Sequence, residues 1–319
     1  MSDSIRSLGR ADIEEAAARL KGRVHRTPLL TSRSLSEHAG RPVYLKAENL
    51  QKAGSFKARG AFNRALTLSE DERSRGLITY SSGNHGQAVA YVARELGLSA
   101  LIVVPEDAPP AKIAACRGYG AEVELAGTTS DHRRARALEI VEQRGLALIQ
   151  PFDDPMIIAG QGSCGLEILE QLPEVGTIAV PIGGGGLVAG ILAAVRPAVR
   201  VIGVEPRAAC AMKNSLAAGR PVQTEPGPTI ADGLKPTRPG NWNLKHAVEL
   251  GLKVVTVEDA AIEEAMRRLF ERARLVVEPS GAATTAALLA GSIPGDDPLV
   301  LVLSGGNVDP LLFARVLSP

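Results

Sequence analysis

Ala100-Leu101-Ile102-Val103-Val104 is a strand with no wet face. Strict alternation would mark a sheet with one side in water. An unbroken apolar run rich in β-branched residues marks a strand buried on both sides, as in a parallel sheet. Before it, Ala88, Val89, Val92, Ala93 and Leu96 recur at helical spacing, and after it Pro109-Pro110 opens another helix. Working outward, strands are expected at 43–46, 77–80, 121–125 and 146–150, then at 177–182, 199–204, 254–257 and 299–303. Helical stretches alternate with them through short links, at 131–143, 157–172, 187–194, 260–273 and 281–290. This order predicts an α/β protein of two open parallel-sheet domains with helices on both faces. Residues 53–146 form the smaller, inserted into a larger one built from 1–52 and 147–319. The site is expected in the interdomain cleft, outside the C-terminal ends of the strands.

Charge and composition narrow the function. Thirty-six basic residues face 35 acidic ones among 319, for a net charge of +1, and no basic stripe stands out. That balance argues against nucleic acid as a partner, and with only 3% aromatic residues there are few platforms for stacked bases. No run of about 18 apolar residues offers a membrane span. The N-terminal segment reads as an amphipathic helix and not as a signal peptide. Cys116, Cys164 and Cys210 form no close pair, which points to a reducing compartment and a cytoplasmic protein. The five histidines lack any zinc spacing. No regulatory domain is expected beyond Pro319.

Glycine-rich turns follow several strands. In Gly54-Ser55-Phe56-Lys57-Ala58-Arg59-Gly60-Ala61, a lysine follows an aromatic ring in the first turn of a helix that Ser55 is expected to cap. Its small and apolar neighbours should desolvate the ammonium, lower its pKa and free an amine for nucleophilic or base chemistry. Gly183-Gly184-Gly185-Gly186 joins an apolar strand to a helix and leaves three readings open. It is a cup for a phosphate monoester, a dinucleotide loop, or tight packing alone. For the second, Gly184, Gly186 and Ala189 fit G-x-G-x-x-A, with Glu205 at the distance of a ribose-binding acid. A Walker A loop is excluded, because no Gly-Lys-Ser or Gly-Lys-Thr follows. Ser81-Ser82-Gly83-Asn84-His85-Gly86 is a second strand-to-helix turn, suited to a carboxylate. A serine hydrolase is disfavoured there, since Ser82 and His85 are too close in sequence and no G-x-S-x-G exists. Glu278-Pro279-Ser280-Gly281 and Ser304-Gly305-Gly306-Asn307 are further turns of this kind. The proline-rich segment 224–245 reads as an ordered surface loop or subunit contact, and its Trp242 has no assigned role.

A phosphate cup, a carboxylate-binding turn and an activated lysine together suggest pyridoxal 5'-phosphate. In these motifs, and in their order from about Arg26 to Asp309, the chain resembles the threonine/serine dehydratase and serine racemase family. That family belongs to the tryptophan-synthase-β-like, fold type II pyridoxal phosphate enzymes. The resemblance implies that Lys57 carries the cofactor as a Schiff base and later takes the α-proton. It implies that Phe56 packs by the cofactor ring, Asn84 meets its 3′-oxygen, Gly183, Gly184, Gly185 and Gly186 hold the phosphate, and Ser304 faces the pyridine nitrogen. It further implies that Glu278 lies near the substrate's polar end and that Ser81, Ser82, Gly83, Asn84 and His85 bind its carboxylate.

The activity so implied is β-elimination of a 3-hydroxy amino acid, L-threonine or L-serine, to a 2-oxo acid and ammonia. Serine or aspartate racemisation, or dehydration of phenylserine or hydroxyaspartate, are the alternatives within the family. A dinucleotide-binding protein is the alternative outside it. Ser82 stands where the racemase has its second base, a serine that the dehydratases share. Phe152 replaces the racemase's asparagine and so favours elimination. The partners implied are an amino-acid substrate and further copies of the chain, as a homodimer or homotetramer. Family members with a divalent metal hold it through a glutamate, a backbone carbonyl and an aspartate. Glu205 and Ala209 match the first two, and Ala211 lacks the third carboxylate.

Overall fold

Ten strands fall into two sheets, in a computed structural model that describes residues 7–81 and 83–318. In chain order they are β1 (Leu29–Thr31), β2 (Val43–Lys46), β3 (Leu77–Thr79), β4 (Ala100–Val104) and β5 (Glu122–Leu125). There follow β6 (Ala147–Leu148), β7 (Thr177–Pro181), β8 (Arg200–Pro206), β9 (Lys253–Val257) and β10 (Leu299–Val302). The larger sheet runs β1-β2-β10-β7-β8-β9 and the smaller β5-β4-β3-β6. Every pairing is parallel except β1 with β2, where Leu30 lies opposite Leu45.

The apolar runs explain this arrangement. β4, β7 and β10 are buried along their whole length, because helices cover both faces of each sheet. On the larger sheet, Ile178, Val180 and Val300 pack into one core, while Ala179, Leu299 and Leu301 pack into another. On the smaller sheet, Ile102 and Val104 face one side, and Leu101 and Val103 the other. Period-two alternation thus feeds two cores at once.

The structure alters four expectations. The larger sheet carries an antiparallel edge strand, β1, whose three residues are too few to show a pattern. The strand expected at 146–150 narrows to β6, which pairs with β3, so the smaller sheet reaches past the boundary expected after residue 146. Ser55 does not cap the Lys57–Leu66 helix. Its hydroxyl is buried without a partner, and its backbone bridges to Gly305 instead. Finally, the segment 224–245 is not all loop, because its last residues begin the Asn241–Glu249 helix.

A buried charge network fixes the Lys57–Leu66 helix. Arg59, fully buried, donates to both oxygens of Glu48 at 2.7 Å each. It also donates to Glu167 Oε1 and Oε2, at 2.7 and 2.9 Å, on the Pro155–Gln171 helix. Burial alone would raise the Glu48 carboxyl, but the Arg59 charge and hydrogen bonds hold it below the usual carboxylate range. Two forked carboxylate pairs therefore set the helix in one rotation and height.

Candidate active site

Lys57 opens the Lys57–Leu66 helix, just after the Ser55 bridge to Gly305. Its ammonium is half-buried and donates to the Pro151 carbonyl at 2.5 Å, 5.2 Å from the centre of the Phe56 ring. No carboxylate among the described residues pairs with it. Burial without a counter-charge pushes its pKa down to about 8. The desolvation expected from its small neighbours is present.

The turns beside it are stitched together. Phe56 N donates to Ser304 O at 3.1 Å, and Gly306 N to Gly54 O at 2.9 Å. Asn307 Nδ2 donates to Ala53 O and to Asn84 Oδ1, both at 2.8 Å. Asn84 in turn donates through Nδ2 to Glu278 Oε1 at 2.7 Å. The Gly54–Lys57, Asn84, Glu278 and Ser304–Asn307 motifs, far apart in sequence, thus form one hydrogen-bonded cluster. Glu278 is buried, and that burial pushes its pKa up to about 8. The Asp232 charge adds to the rise and the Asn84 hydrogen bond opposes it. At neutral pH the carboxyl is therefore mostly protonated and able to donate.

Two helix starts carry bare amides, and one of them packs against Phe152, the residue after the Pro151 that receives Lys57. Among the described residues, no acceptor meets the N–H groups of Gly183, Gly184, Gly185 or Gly186, ahead of the Gly186–Val195 helix. A Cβ on Gly184 would stand 2.2 Å from the Phe152 ring, so no side chain fits there. The amides of Gly83, Asn84 and His85 are likewise without acceptors among the described residues, at the start of the Asn84–Leu96 helix. Ser82 lies outside the described residues. The His85 ring is not aimed at solvent: it is buried and its Nε2 meets Ile149 O at 3.0 Å. Burial, then the Lys57 charge, push its pKa down to about 3, so the ring is neutral. What His85 offers a ligand is its backbone amide.

These residues fit pyridoxal phosphate. Four unanswered amides at a helix N-terminus suit a dianionic phosphate, and an amine of low pKa suits a Schiff base with an aldehyde. The same geometry weakens the dinucleotide reading. Glu205, its required acid, is buried and uses its two oxygens to cap the Ala211–Ala218 helix, accepting from Met212 N at 2.8 Å and Lys213 N at 3.0 Å. Burial pushes this carboxyl up to about 7. It is thus a helix cap beside Ala209 and Ala211, and no group of three or more histidine, cysteine or acidic residues among the described ones is placed to hold a metal.

Three contacts had no signal in the sequence. The Pro151 carbonyl, which receives Lys57, belongs to a segment read for its likeness to the dehydratases and not for a contact with Lys57. Asp153 accepts from Asn241 N and Trp242 N at 2.9 and 3.0 Å. Asn243 donates to Gly184 O at 2.7 Å. The last two join residues more than fifty positions apart, and nothing local announces either partner.

The description "pyridoxal-phosphate dependent enzyme" matches residues 20–305. An L-threonine ammonia-lyase of Geobacter sulfurreducens is 46% identical over 93% of this chain and 75% of its own length. Among solved structures, the T.th. threonine deaminase is 46% identical, with a TM-score of 0.88 over 94% of this chain and 99% of that one. Maize serine racemase is 36% identical, with a TM-score of 0.93 over 97% of each chain. Fold, site geometry and sequence agree, and the chain belongs to the family of pyridoxal-phosphate dependent enzymes.

Proposed function

We propose that this chain is a threonine/serine ammonia-lyase, which eliminates water from L-threonine or L-serine to an enamine that water then hydrolyses, for a net yield of a 2-oxo acid and ammonia. The observation that carries the reading is Lys57, an amine with a pKa near 8 that faces no carboxylate and rests on the Pro151 carbonyl, next to the Phe152 ring that packs on the bare glycine loop. The names of the threonine ammonia-lyase and threonine deaminase relatives support the substrate class. When bound, pyridoxal phosphate supplies an electron sink for the pair released as the α-proton leaves.

The chain's own residues do the rest. Lys57 would hold the cofactor through its amine and, as a free amine, would take the substrate's α-proton at Nζ. Gly183–Gly186 would bind the phosphate through their amides, and Ser304 would supply a hydroxyl at the ring nitrogen. The amides of Ser81, Gly83, Asn84 and His85, with Ser82, take the substrate carboxylate. Glu278, held in place by Asn84, meets the substrate's polar end as a neutral carboxyl.

Serine racemisation is the second reading, supported by the maize structure's likeness. Phe152 speaks against it: the ring fills the space over Gly184 where the racemase has an asparagine. We place the division of the chain after residue 148, so that β6 stays with the smaller unit, and expect the protein in the cytoplasm as a homodimer or homotetramer. Among the described residues, no helix is long and apolar enough to cross a membrane.

The test has two arms. Borohydride reduction followed by peptide mass spectrometry should place the cofactor on Lys57. A 2-oxo acid assay beside chiral analysis should find ammonia and oxo acid from L-threonine or L-serine with little D-isomer. An adduct on another lysine, or racemisation faster than elimination, would reverse the assignment.

A further inference from the structure

Asn243 is fully buried beside the glycine loop, at the end of a segment whose sequence carries no recognisable motif. We propose that Asn243 is a positioning residue for the cofactor phosphate: its side-chain NH2 holds the Gly184 carbonyl and thereby aims the Gly185 amide into the anion cup. The inference rests on the reading of this protein as a pyridoxal phosphate enzyme.

Asn243 Nδ2 donates to Gly184 O at 2.7 Å and to Phe152 O at 3.2 Å. Both neighbours are acceptors, so the side chain must turn its NH2 towards them. Gly240 N adds a second donor to the same Gly184 oxygen at 3.1 Å. A peptide unit is planar and trans, so its C=O and N–H point in opposite directions. Fixing the Gly184 carbonyl on the Asn243 side therefore directs the Gly185 N–H to the other side, where no protein acceptor among the described residues meets it. Gly185 adopts φ +98°, and a Cβ there would lie 2.9 Å from Asn243 Cβ, so loop and amide are in direct contact.

Two further observations favour a positioning role over simple packing. Asn243 Oδ1 is buried without a partner. Such an orphaned acceptor is costly, and a leucine of similar size would avoid it, so the amide is useful for what its NH2 holds. The helix that carries it is also anchored at the loop. Asp153, next to Phe152, accepts from the Asn241 and Trp242 amides at 2.9 and 3.0 Å.

The experiment titrates apoprotein with pyridoxal phosphate and, separately, with pyridoxal, which has the same aldehyde and no phosphate. Wild type, Asn243→Leu and Asn243→Ala are compared by the absorbance of the Lys57 adduct. The variants should lose about tenfold or more in affinity for pyridoxal phosphate, while their affinity for pyridoxal changes less than about twofold. The ratio of the two affinities is the readout that general damage would not move. If neither Asn243 variant folds, Asp153→Asn, which weakens the anchor from outside the loop, should lower the same ratio by a smaller factor. Equal loss for both ligands, or no loss for either, would overturn the inference. A wild type that forms no adduct at Lys57 would overturn the proposed function and this inference with it.

Discussion

Two lysines, one fully and one partly buried, show how one residue type is put to different uses. Lys46, at the end of β2, is completely buried and its ammonium is fully answered. It donates to Glu167 Oε2 at 2.6 Å, Thr27 O at 2.8 Å and Gln171 Oε1 at 2.9 Å. Lys57 lies one short connection further along the chain, is less deeply buried, and meets a single carbonyl. The more deeply buried ammonium is the one with the fuller set of partners, so depth of burial alone does not assign the roles. A carboxylate does: the ammonium with an ion-pair partner belongs to the scaffold, and the one without is an amine available near neutral pH.

The sharpest way to break the comparison is to remove each lysine in turn. Lys57→Ala should cut turnover by about a thousandfold or more, because in the proposed mechanism one side chain both holds the cofactor and moves the proton. The circular dichroism spectrum and the unfolding midpoint should stay close to wild type. Lys46→Met should do the reverse. Leaving Glu167 with one cationic partner fewer in a dry site should cost about 3 kcal/mol in urea unfolding of the apoprotein, with turnover per folded molecule changed only a few-fold. Equal losses of activity in the two variants would show that the two lysines do not differ in role.

A smaller effect sharpens the electrostatic side. Only the neutral amine of Lys57 can capture an aldehyde, and its pKa is about 8. The capture rate of pyridoxal phosphate by apoprotein should rise with pH and level off above 9, gaining about tenfold between pH 7 and 9 as the neutral fraction grows. A rate that keeps climbing to pH 10.5 would mean the amine is not desolvated. Smallest of all is the response to divalent metal. Glu205 already spends its two oxygens on the Met212 and Lys213 amides, and Ala211 supplies no second carboxylate. Exhaustive EDTA treatment followed by magnesium should change the rate by less than about twofold, whereas several-fold recovery would reveal another ligand set.

The two lysines also mark what was legible beforehand. Lys57 stood out because its neighbours in sequence are its neighbours in space: the ring before it and the small residues of its own helix turn. The parallel sheets were legible for a similar reason, since runs such as 100–104 and 299–303 declare two buried faces locally. Lys46 gave no sign, because its carboxylate comes from the Pro155–Gln171 helix, 121 positions away. Asn243 and Gly184 are likewise brought together by topology alone. β1 was invisible for a different reason: three residues are too short for any periodicity. Ser55 misled because a serine before a helix usually caps it, while here its backbone was already committed to the bridge with Gly305.

The single contact between Lys57 and the Pro151 carbonyl bears on how often the enzyme can cycle. In the proposed mechanism this side chain departs and comes back in every turnover, and so needs a berth, not an anchor. Leaving an amide oxygen forfeits about 1 kcal/mol, whereas leaving a desolvated carboxylate would forfeit several. The carbonyl also belongs to a firmly moored strap, since Ile149 O holds His85 and the Gln150 side chain accepts from Tyr80 at 2.7 Å. The berth therefore stays where it is while its occupant is away, and the returning amine finds the same address.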